Sequence, residues 1–347
     1  MTRWFPPDLP SVLLTLALGG AGAATAMALH IPAPFLTGPA AVVSFASVFG
    51  LSTRIPLGLR DLCFLVIGLS MGTGINPEIL SAAAAWPMSL VALAAALVFI
   101  FLGGAEALQR WLGLDRITAR LAASPGHLSY ILSLSTETRA DVALLAVVQS
   151  LRVLTLTLLV PLVVALVTNA DLSMSSRPGT PMDLLPLAGL AVVSAGLGLV
   201  FKRLKLPAAF LMGGLVLSAV SHGTGVLAGI VPVWLAVPSF VIMGTLIGTR
   251  FSGVTWSMIV RALAAALILT GFALVATVAA AVVMHWALGI PLTSLLIAYA
   301  PGGLETMAAI SVMLDADPAF VAFHHAFRVL MLTFLVPAFL PRTEPQT

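Results

Sequence analysis

Residues 11–29, 83–102 and 142–167 hold one charged side chain among them, Arg152. A helix needs about 20 apolar residues to cross the hydrocarbon core of a bilayer, so each run is long enough to do so. The rest of the chain agrees. Hydrophobic residues make up 60% and charged residues 8%, where a soluble domain carries roughly 25% charged residues. Most of the surface therefore faces something other than water, and the expectation is an all-α polytopic membrane protein in contact with the lipid bilayer. The first run, with Arg3 before it and Ala24 and Ala26 near its end, has features of a signal peptide. Its length, and its recurrence at 184–201, mark it instead as the first helix.

The chain repeats itself. Shifted by 176 residues, Ser124-Pro125-Gly126 falls on Ala300-Pro301-Gly302, Asp141 on Asp317, Arg152 on Arg328 and Pro161 on Pro337. From Asp141 to Pro161, 11 of 21 positions are identical. Gly68-x-x-x-Gly72 falls on Gly244-x-x-x-Gly248, and with a shift of 175 Pro32-Ala33-x-Phe35-Leu36-x-Gly38 falls on Pro207-Ala208-x-Phe210-Leu211-x-Gly213. Shared Leu or Ala would mean little in this composition. Shared Arg, Asp and Pro-Gly at one spacing mean duplication. Each unit has five apolar segments: 11–29, 34–50, 60–75, 83–107 and 141–168, then 184–201, 208–228, 235–249, 260–286 and 317–340. Between the fourth and fifth, at 114–137 and 291–314, a Pro-Gly step breaks the pattern, since proline removes a backbone donor and glycine frees the dihedrals.

Charge orients the segments. With a cytoplasmic N-terminus and re-entrant interrupted stretches, Arg3, Arg54, Arg60, Arg110, Arg116, Arg120 and Arg139 fall on one side. Lys202, Arg203, Lys205, Arg250, Arg261 and Arg342 join them. The loops at 30–33, 76–82, 229–234, 287–290 and 314–317 carry no Lys or Arg and fall on the other side, and only Arg177 is misplaced. This positive-inside pattern requires five crossings per unit, with the second unit inserted upside down. The expected organisation is about ten transmembrane helices in two inverted repeats of five, 1–168 and 184–341, each with a re-entrant or broken Pro-Gly element. An extracytoplasmic linker, 169–183, joins them. Both termini are expected on the cytoplasmic side of a bacterial inner membrane, and the tail after Pro341 reads as a short polar end.

Inverted repeats with interrupted helices are the usual construction of secondary transporters, with solute sites near the midplane. Backbone freed by a break survives in a membrane only if buried in protein or lining a cavity, and a freed helix N-terminus favours anions. Pro125, Gly126, Pro301, Gly302 and Gly303 are therefore candidate substrate-binding residues, with a kink that merely packs as the structural alternative. Arg152 and Arg328 each lie 11 residues into a helix, roughly 16 Å deep at about 1.5 Å per residue. A guanidinium there costs at least about 2.5–3.5 kcal/mol unless paired, and it is too deep to snorkel. It either serves an anionic solute or is held by Glu305 or by carbonyls of the breaks.

His324 and His325 sit one turn before Arg328, where the first unit has Val148 and Gln149. Imidazole titrates near neutral pH and suits proton coupling; hydrogen bonding to freed carbonyls is the structural alternative. Glu305, four residues after Pro301, is a third proton-coupling candidate, or the partner of Arg328. Its counterpart is Ser129, and His127 stands where the second unit has Gly303. No metal site is expected, since cysteine and acids are sparse around the histidines.

Other features have structural readings. The Gly68 and Gly244 patterns suit close helix packing, and Glu106 with Arg110 forms an i,i+4 pair. Asp141 and Asp317 are N-caps, with Pro318 in the first turn. Cys63 is a buried thiol without a disulfide partner, and Tyr130 and the six tryptophans are packing or interface residues. Fourteen of the 16 basic residues are Arg, scattered singly, so nucleic acid is not an expected partner. No nucleophile elbow, phosphate loop or zinc motif appears, so neither an enzyme nor a cofactor is expected.

Pro32 to Gly38, Arg60-Asp61 leading into Ile67-Gly68-x-x-x-Gly72, Ala300-Pro301-Gly302-Gly303, and Asp317 with His324-His325 and Arg328 together resemble the AbrB-duplication family of bacterial membrane proteins. These proteins are labelled ammonia monooxygenase-like or regulators of gene expression, and share only a name with the soluble DNA-binding AbrB. The resemblance covers both units and nearly the whole chain, but implies little chemistry. His127 at a glycine position and a first unit without the histidine pair break the symmetry between halves. The residues favour a secondary transporter for a small, anionic or carboxylate-bearing solute, with proton coupling. The alternative is a membrane-embedded regulator or sensor acting on gene expression through a partner, against which stands the lack of a sizeable soluble domain. Homo-oligomerisation, transport direction and coupling ion are left open.

Overall fold

A computed structural model describes residues 9–74, 86–125, 140–168, 179–206 and 208–339, with single positions 131, 135 and 138. Gly126, His127, Ser129, Tyr130, Pro207, Arg3, Arg139, Arg177, Arg342, the loop at 76–82, the linker up to 178 and the tail after Pro341 lie outside them, as does the Pro337 side chain. The described chain is helical, with one isolated bridge between Pro181 and Ile230. In order, its helices are α1 (Leu9–Ala28), α2 (Pro34–Val48), α3 (Leu57–Gly72), α4 (Trp86–Leu112), α5 (Arg116–Ala123), α6 (Val142–Thr168), α7 (Leu184–Arg203), α8 (Ala209–Gly223), α9 (Val233–Gly248), α10 (Trp256–Leu288), α11 (Leu292–Tyr299), α12 (Leu304–Met313) and α13 (Pro318–Phe339). A 3-10 turn, Thr249–Phe251, extends α9.

Each of the ten apolar segments holds one of these helices. Six of them, α1, α4, α6, α7, α9 and α10, are long and apolar enough to cross a bilayer. By contrast α2 and α8 have 15 residues and α3 has 16, a length of about 22–24 Å at about 1.5 Å per residue. The outward faces are apolar. Leu185, Val192, Leu166 and Trp286 are 85%, 72%, 70% and 85% exposed, a surface that lipid suits and water does not. Ion pairs join charges near the helix ends: Glu106 with Arg110 at 2.5 Å, Asp61 with Lys202 at 2.9 Å and Asp141 with Arg261 at 2.7 Å. Cys63 is buried.

Packing comes in pairs. α1 packs on α2, and α7 on α8; α2 on α9, and α8 on α3; α4 on α5, and α10 on α11; α10 on α6, and α4 on α13; α5 on α6, and α11 on α13. Each pair is one contact repeated under exchange of the halves. The crossings are close because the glycines allow it. A Cβ at Gly68 would lie 2.1 Å from the Leu211 carbonyl oxygen, and one at Gly244 would lie 2.3 Å from that of Leu36. The turns before α2 and α8 also match: His30 and Ala33 have φ of 54° and 51°, Lys205 and Ala208 of 58° and 48°. Left-handed backbone at non-glycine residues costs on the order of 1–3 kcal/mol, so the same strained turn is built twice.

The core closes around the breaks. Every residue from Ser294 to Gly302 is buried, as is every residue from Leu121 to Pro125. A Gly244→Val substitution would drive its side chain into the α2 backbone, and the expected loss is about 1–3 kcal/mol, read as a lower Tm of the detergent-solubilised protein. Gly20→Ala, whose Cβ meets nothing within 4 Å, should not lower it. An unchanged Tm for Gly244→Val would show that α2 and α9 do not cross this closely.

Candidate functional site

α5 and α11 are half-helices of eight residues. Each is followed by a residue in extended backbone, Ser124 (φ −63°, ψ 118°) or Ala300 (φ −60°, ψ 125°), because the next residue is proline and its ring disfavours the α region for the residue before it. Ending a helix orphans the carbonyls of its last turn. Here that turn is buried, so the donors must come from protein.

They come from α6 and α13. These helices are anchored first at their N-termini. The Leu144 N–H donates to Asp141 Oδ1 at 2.9 Å, and the Ala319 and Phe320 N–H groups donate to Asp317 Oδ1 at 2.9 and 3.1 Å. The Asp141 N–H reaches Thr118 Oγ1 at 3.3 Å, and the Asp317 N–H reaches Ser294 Oγ at 3.0 Å. Each long helix is thus pinned to its half-helix, with its arginine level with the break. Arg152 Nη1 donates to the Ser124 carbonyl and Arg328 Nη1 to the Ala300 carbonyl, both at 3.1 Å. Arg328 Nη2 reaches the Gly302 carbonyl at 2.6 Å, and Arg152 Nη2 reaches Gln149 Oε1 at 2.6 Å.

One turn earlier the pattern repeats. Gln149 Nε2 lies 3.2, 3.3 and 3.1 Å from the carbonyl oxygens of Leu121, Ala122 and Ser124, and His325 Nε2 lies 3.1 Å from that of Ile297. Gln149 and His325 occupy equivalent positions, as do Leu121 and Ile297. Each half-helix is therefore capped at its negative C-terminal end by a guanidinium and a second donor. Arg152 and Arg328 are 2% and 3% exposed. Their Nε–H groups have no hydrogen-bond partner among the described residues, and the two guanidiniums repel each other electrostatically. α11 also packs against α6, the helix that carries Arg152, so the two capped ends belong to neighbouring helices.

Among the described residues, Arg328 makes no ion pair with Glu305. Glu305 is half-buried in the first turn of α12, where the helix dipole favours a carboxylate, and it attracts both Arg328 and Arg250. Pro125, Pro301 and Gly302 are buried and Gly303 is half-buried; Gly126 lies outside the described residues. His324 turns away from the break. Its Nδ1 lies 2.8 Å from the Phe320 carbonyl oxygen, and its Nε2 lies 2.9 Å from Ser89 Oγ, which is 2.7 Å from Tyr299 Oη. The two histidines therefore serve different neighbours. An open cleft of about 630 Å³ lies elsewhere, between residues 47–52 and 252–256.

Sequence reasoning missed Gln149, Ser89, Tyr299, Thr118 and Ser294. Gln149 was detectable as the polar counterpart of His325, and Tyr299 by its place directly before the break. A lone serine in an apolar helix carries no signal.

Apolar helices around two buried, capped breaks define an all-helical integral membrane protein. The chain belongs to the family described as transition state regulatory protein AbrB, whose profile matches residues 35–343. It is 30% identical over 297 residues to "Uncharacterized protein YhjN" of Bacillus subtilis (strain 168), covering 79% of this chain and 76% of that protein. It is also 30% identical over 172 residues to "Putative regulator AbrB" of Escherichia coli (strain K12), covering 48% of each chain.

Arg328→Ala should destabilise the protein, because it takes from the Gly302 carbonyl its donor in a dry interior, at about 1–3 kcal/mol, and leaves the Ala300 carbonyl with the Gly302 N–H alone. Arg328→Lys should restore only part of the loss, since an ammonium lacks the planar fork that reaches both. Thermal unfolding in detergent separates the three proteins; an Arg328→Ala Tm equal to the parent's would remove the capping role.

Proposed function

We propose that this protein is a secondary transporter for a small anionic solute in the bacterial inner membrane. It has about ten transmembrane helices in two inverted repeats, 1–168 and 184–341, and both termini cytoplasmic. The observation that carries this reading is the pair of capped breaks, each with a buried guanidinium whose Nε–H is unpartnered. A guanidinium has five N–H donors. Capping engages Nη1 and Nη2 and leaves an edge that a carboxylate fits in bidentate fashion. Arg152 and Arg328 hold the solute's negative charge, while Pro125, Gly126, Pro301, Gly302 and Gly303 shape the backbone beside it. Glu305, His324 and His325 are the proton-coupling candidates. This reading needs no cofactor, metal, enzymatic step or nucleic acid, and is compatible with a homo-oligomer.

The inverted arrangement draws support from contacts between distant loops. Lys202 with Asp61, Arg261 with Asp141, and Arg120 with the Phe339 carbonyl each join residues that the charge pattern puts on the cytoplasmic side. The bridge between Pro181 and Ile230 joins two that it puts outside. Reporter fusions at residues 172 and 203 should give opposite signals, with 172 outside; equal signals would refute the arrangement.

The second reading, a membrane-embedded regulator acting through a partner, is favoured by the family's description and by the printed name of the Escherichia coli relative. Uptake into proteoliposomes across a panel of organic acids, amines and ammonium discriminates between the two. Uptake of a carboxylate, reduced at least tenfold in a stable Arg152→Lys or Arg328→Lys protein, is the expected result. Full uptake by either variant would sink the anion site, and uptake of nothing in the panel, with altered transcription in a deletion strain, would favour the regulator.

A further inference from the structure

Three helices meet at His324. α4 contributes Ser89, α11 contributes Tyr299 and α13 contributes the imidazole; Ser89 and His324 are fully buried, as is Tyr299. Hydrogen-bond chemistry assigns the protons. A carbonyl only accepts, so the 2.8 Å contact from Nδ1 to the Phe320 carbonyl puts a proton on Nδ1. Neutral His324 therefore presents a bare Nε2 to Ser89 Oγ. In that state Ser89 O–H donates to Nε2 and Tyr299 O–H donates to Ser89 Oγ, across 2.9 and 2.7 Å.

The same atoms serve the protonated state. Nε2–H then donates to Ser89 Oγ, Ser89 O–H turns to Tyr299 Oη, and Tyr299 O–H turns to the Ser89 backbone carbonyl, 2.9 Å away. No donor is orphaned in either state. The ring also lies among aromatic groups, 3.8 Å from Phe320 and 6.3 Å from both Trp86 and Phe323 between centroids. His325 offers no such accommodation. Its Nε2–H is committed to Ile297, and its Nδ1 has no partner among the described residues.

The other half of the molecule supplies the comparison. The positions equivalent to Ser89, Tyr299 and His324 are Ala265, Ala123 and Val148, all buried in one apolar cluster. The fold closes this junction without a polar atom, so the network is not needed to hold the helices together.

We propose that Ser89, Tyr299 and His324 form a proton-binding relay whose terminal acceptor is His324 Nε2. A proton delivered to Tyr299 Oη shifts the tyrosine's own proton to Ser89 Oγ, and the serine's proton to Nε2; one proton enters and the chain reverses direction. Tyr299 immediately precedes Ala300, whose carbonyl Arg328 holds, so the relay lies next to the capped break. The titratable or charged groups facing His324 are Tyr299 on α11 and, on its own helix, His325 with Arg328 beyond it. α4 brings Trp86 and Ser89, and among the described residues α3 and α12 bring no charge to bear on it. Only the relay's role in coupling rests on the transporter reading.

The test is nuclear magnetic resonance of the whole protein in lipid nanodiscs, with histidine labelled by the heavy nitrogen isotope. One signal, absent from His324→Gln, should show Nδ1–H with bare Nε2 at high pH and double protonation as pH falls, with the protein folded throughout. Tyr299→Phe should lower its proton affinity about tenfold and Ser89→Ala further, because a bond to the charged form is stronger than one to the neutral form. Ser89→Thr should restore it. A signal that never changes over the folded range, or that titrates alike in all variants, overturns the relay. In proteoliposomes with a trapped pH dye and a panel of mono- and dicarboxylates, solute-linked proton movement should be lost in His324→Gln while solute exchange remains. Proton movement retained in that variant overturns the coupling role. Titration without uptake of any solute counts against the transporter reading and the coupling role, and leaves the proton site standing.

Discussion

Carbonyls freed inside a membrane protein need donors, and the organisation of this molecule follows from how that need is met. Pro125 and Pro301 end two short helices in the middle of the protein, where the last carbonyls have no water. An arginine in the same place is equally unwelcome on its own, since a lone guanidinium at bilayer depth is costly. Set together, each removes the other's penalty. Arg328 spans the carbonyls of Ala300 and Gly302, which lie on either side of Pro301, so one side chain holds both edges of the break. An ammonium, with its donors on a single nitrogen, could not match that geometry.

The elements upstream of this junction serve to register it. Asp141 and Asp317 fix where α6 and α13 begin, and Thr118 and Ser294 tie those beginnings to the half-helices. The spacing from aspartate to arginine then sets the guanidinium level with the break. The glycine crossings, where Gly68 meets Leu211 and Gly244 meets Leu36, make no contact with the carbonyls that the arginines hold. They hold together the helices that surround the capped ends.

The helices and the breaks were legible in the sequence because both are local: apolar runs define the first, and Pro-Gly steps the second. The count of membrane crossings was less so. Hydropathy marks α2 and α8 as apolar, but their 15 residues fall short of an ordinary span, and a strained left-handed turn before each cannot be read from Pro-Ala. The arginines were legible as buried charges with several candidate partners, and only the folded structure chooses the carbonyls over Glu305. His324 and His325 look like one pair in the sequence. Neighbours on a helix are about 100° apart, so one faces α11's carbonyls and the other faces Ser89. Their division of labour is a consequence of rotation, which adjacency in sequence hides.

A duplicated fold is its own control. Features present in both halves, such as the aspartate caps, the arginines and the left-handed turns, belong to the architecture, since the same chain segment needs them wherever it is placed. Features present once ask for a different explanation. Gln149 and His325 differ in type but both donate to a carbonyl, so that position is architectural even though the residues are not identical. Ser89, Tyr299 and His324 are opposed by Ala265, Ala123 and Val148, which carry no polar side-chain atom, and in the sequence Glu305 is opposed by Ser129. By that criterion the arginines carry structure first, and whatever chemistry they do is done with the donors that capping leaves over. Ser89, Tyr299, His324 and Glu305 are instead what makes one half of this molecule chemically unlike the other.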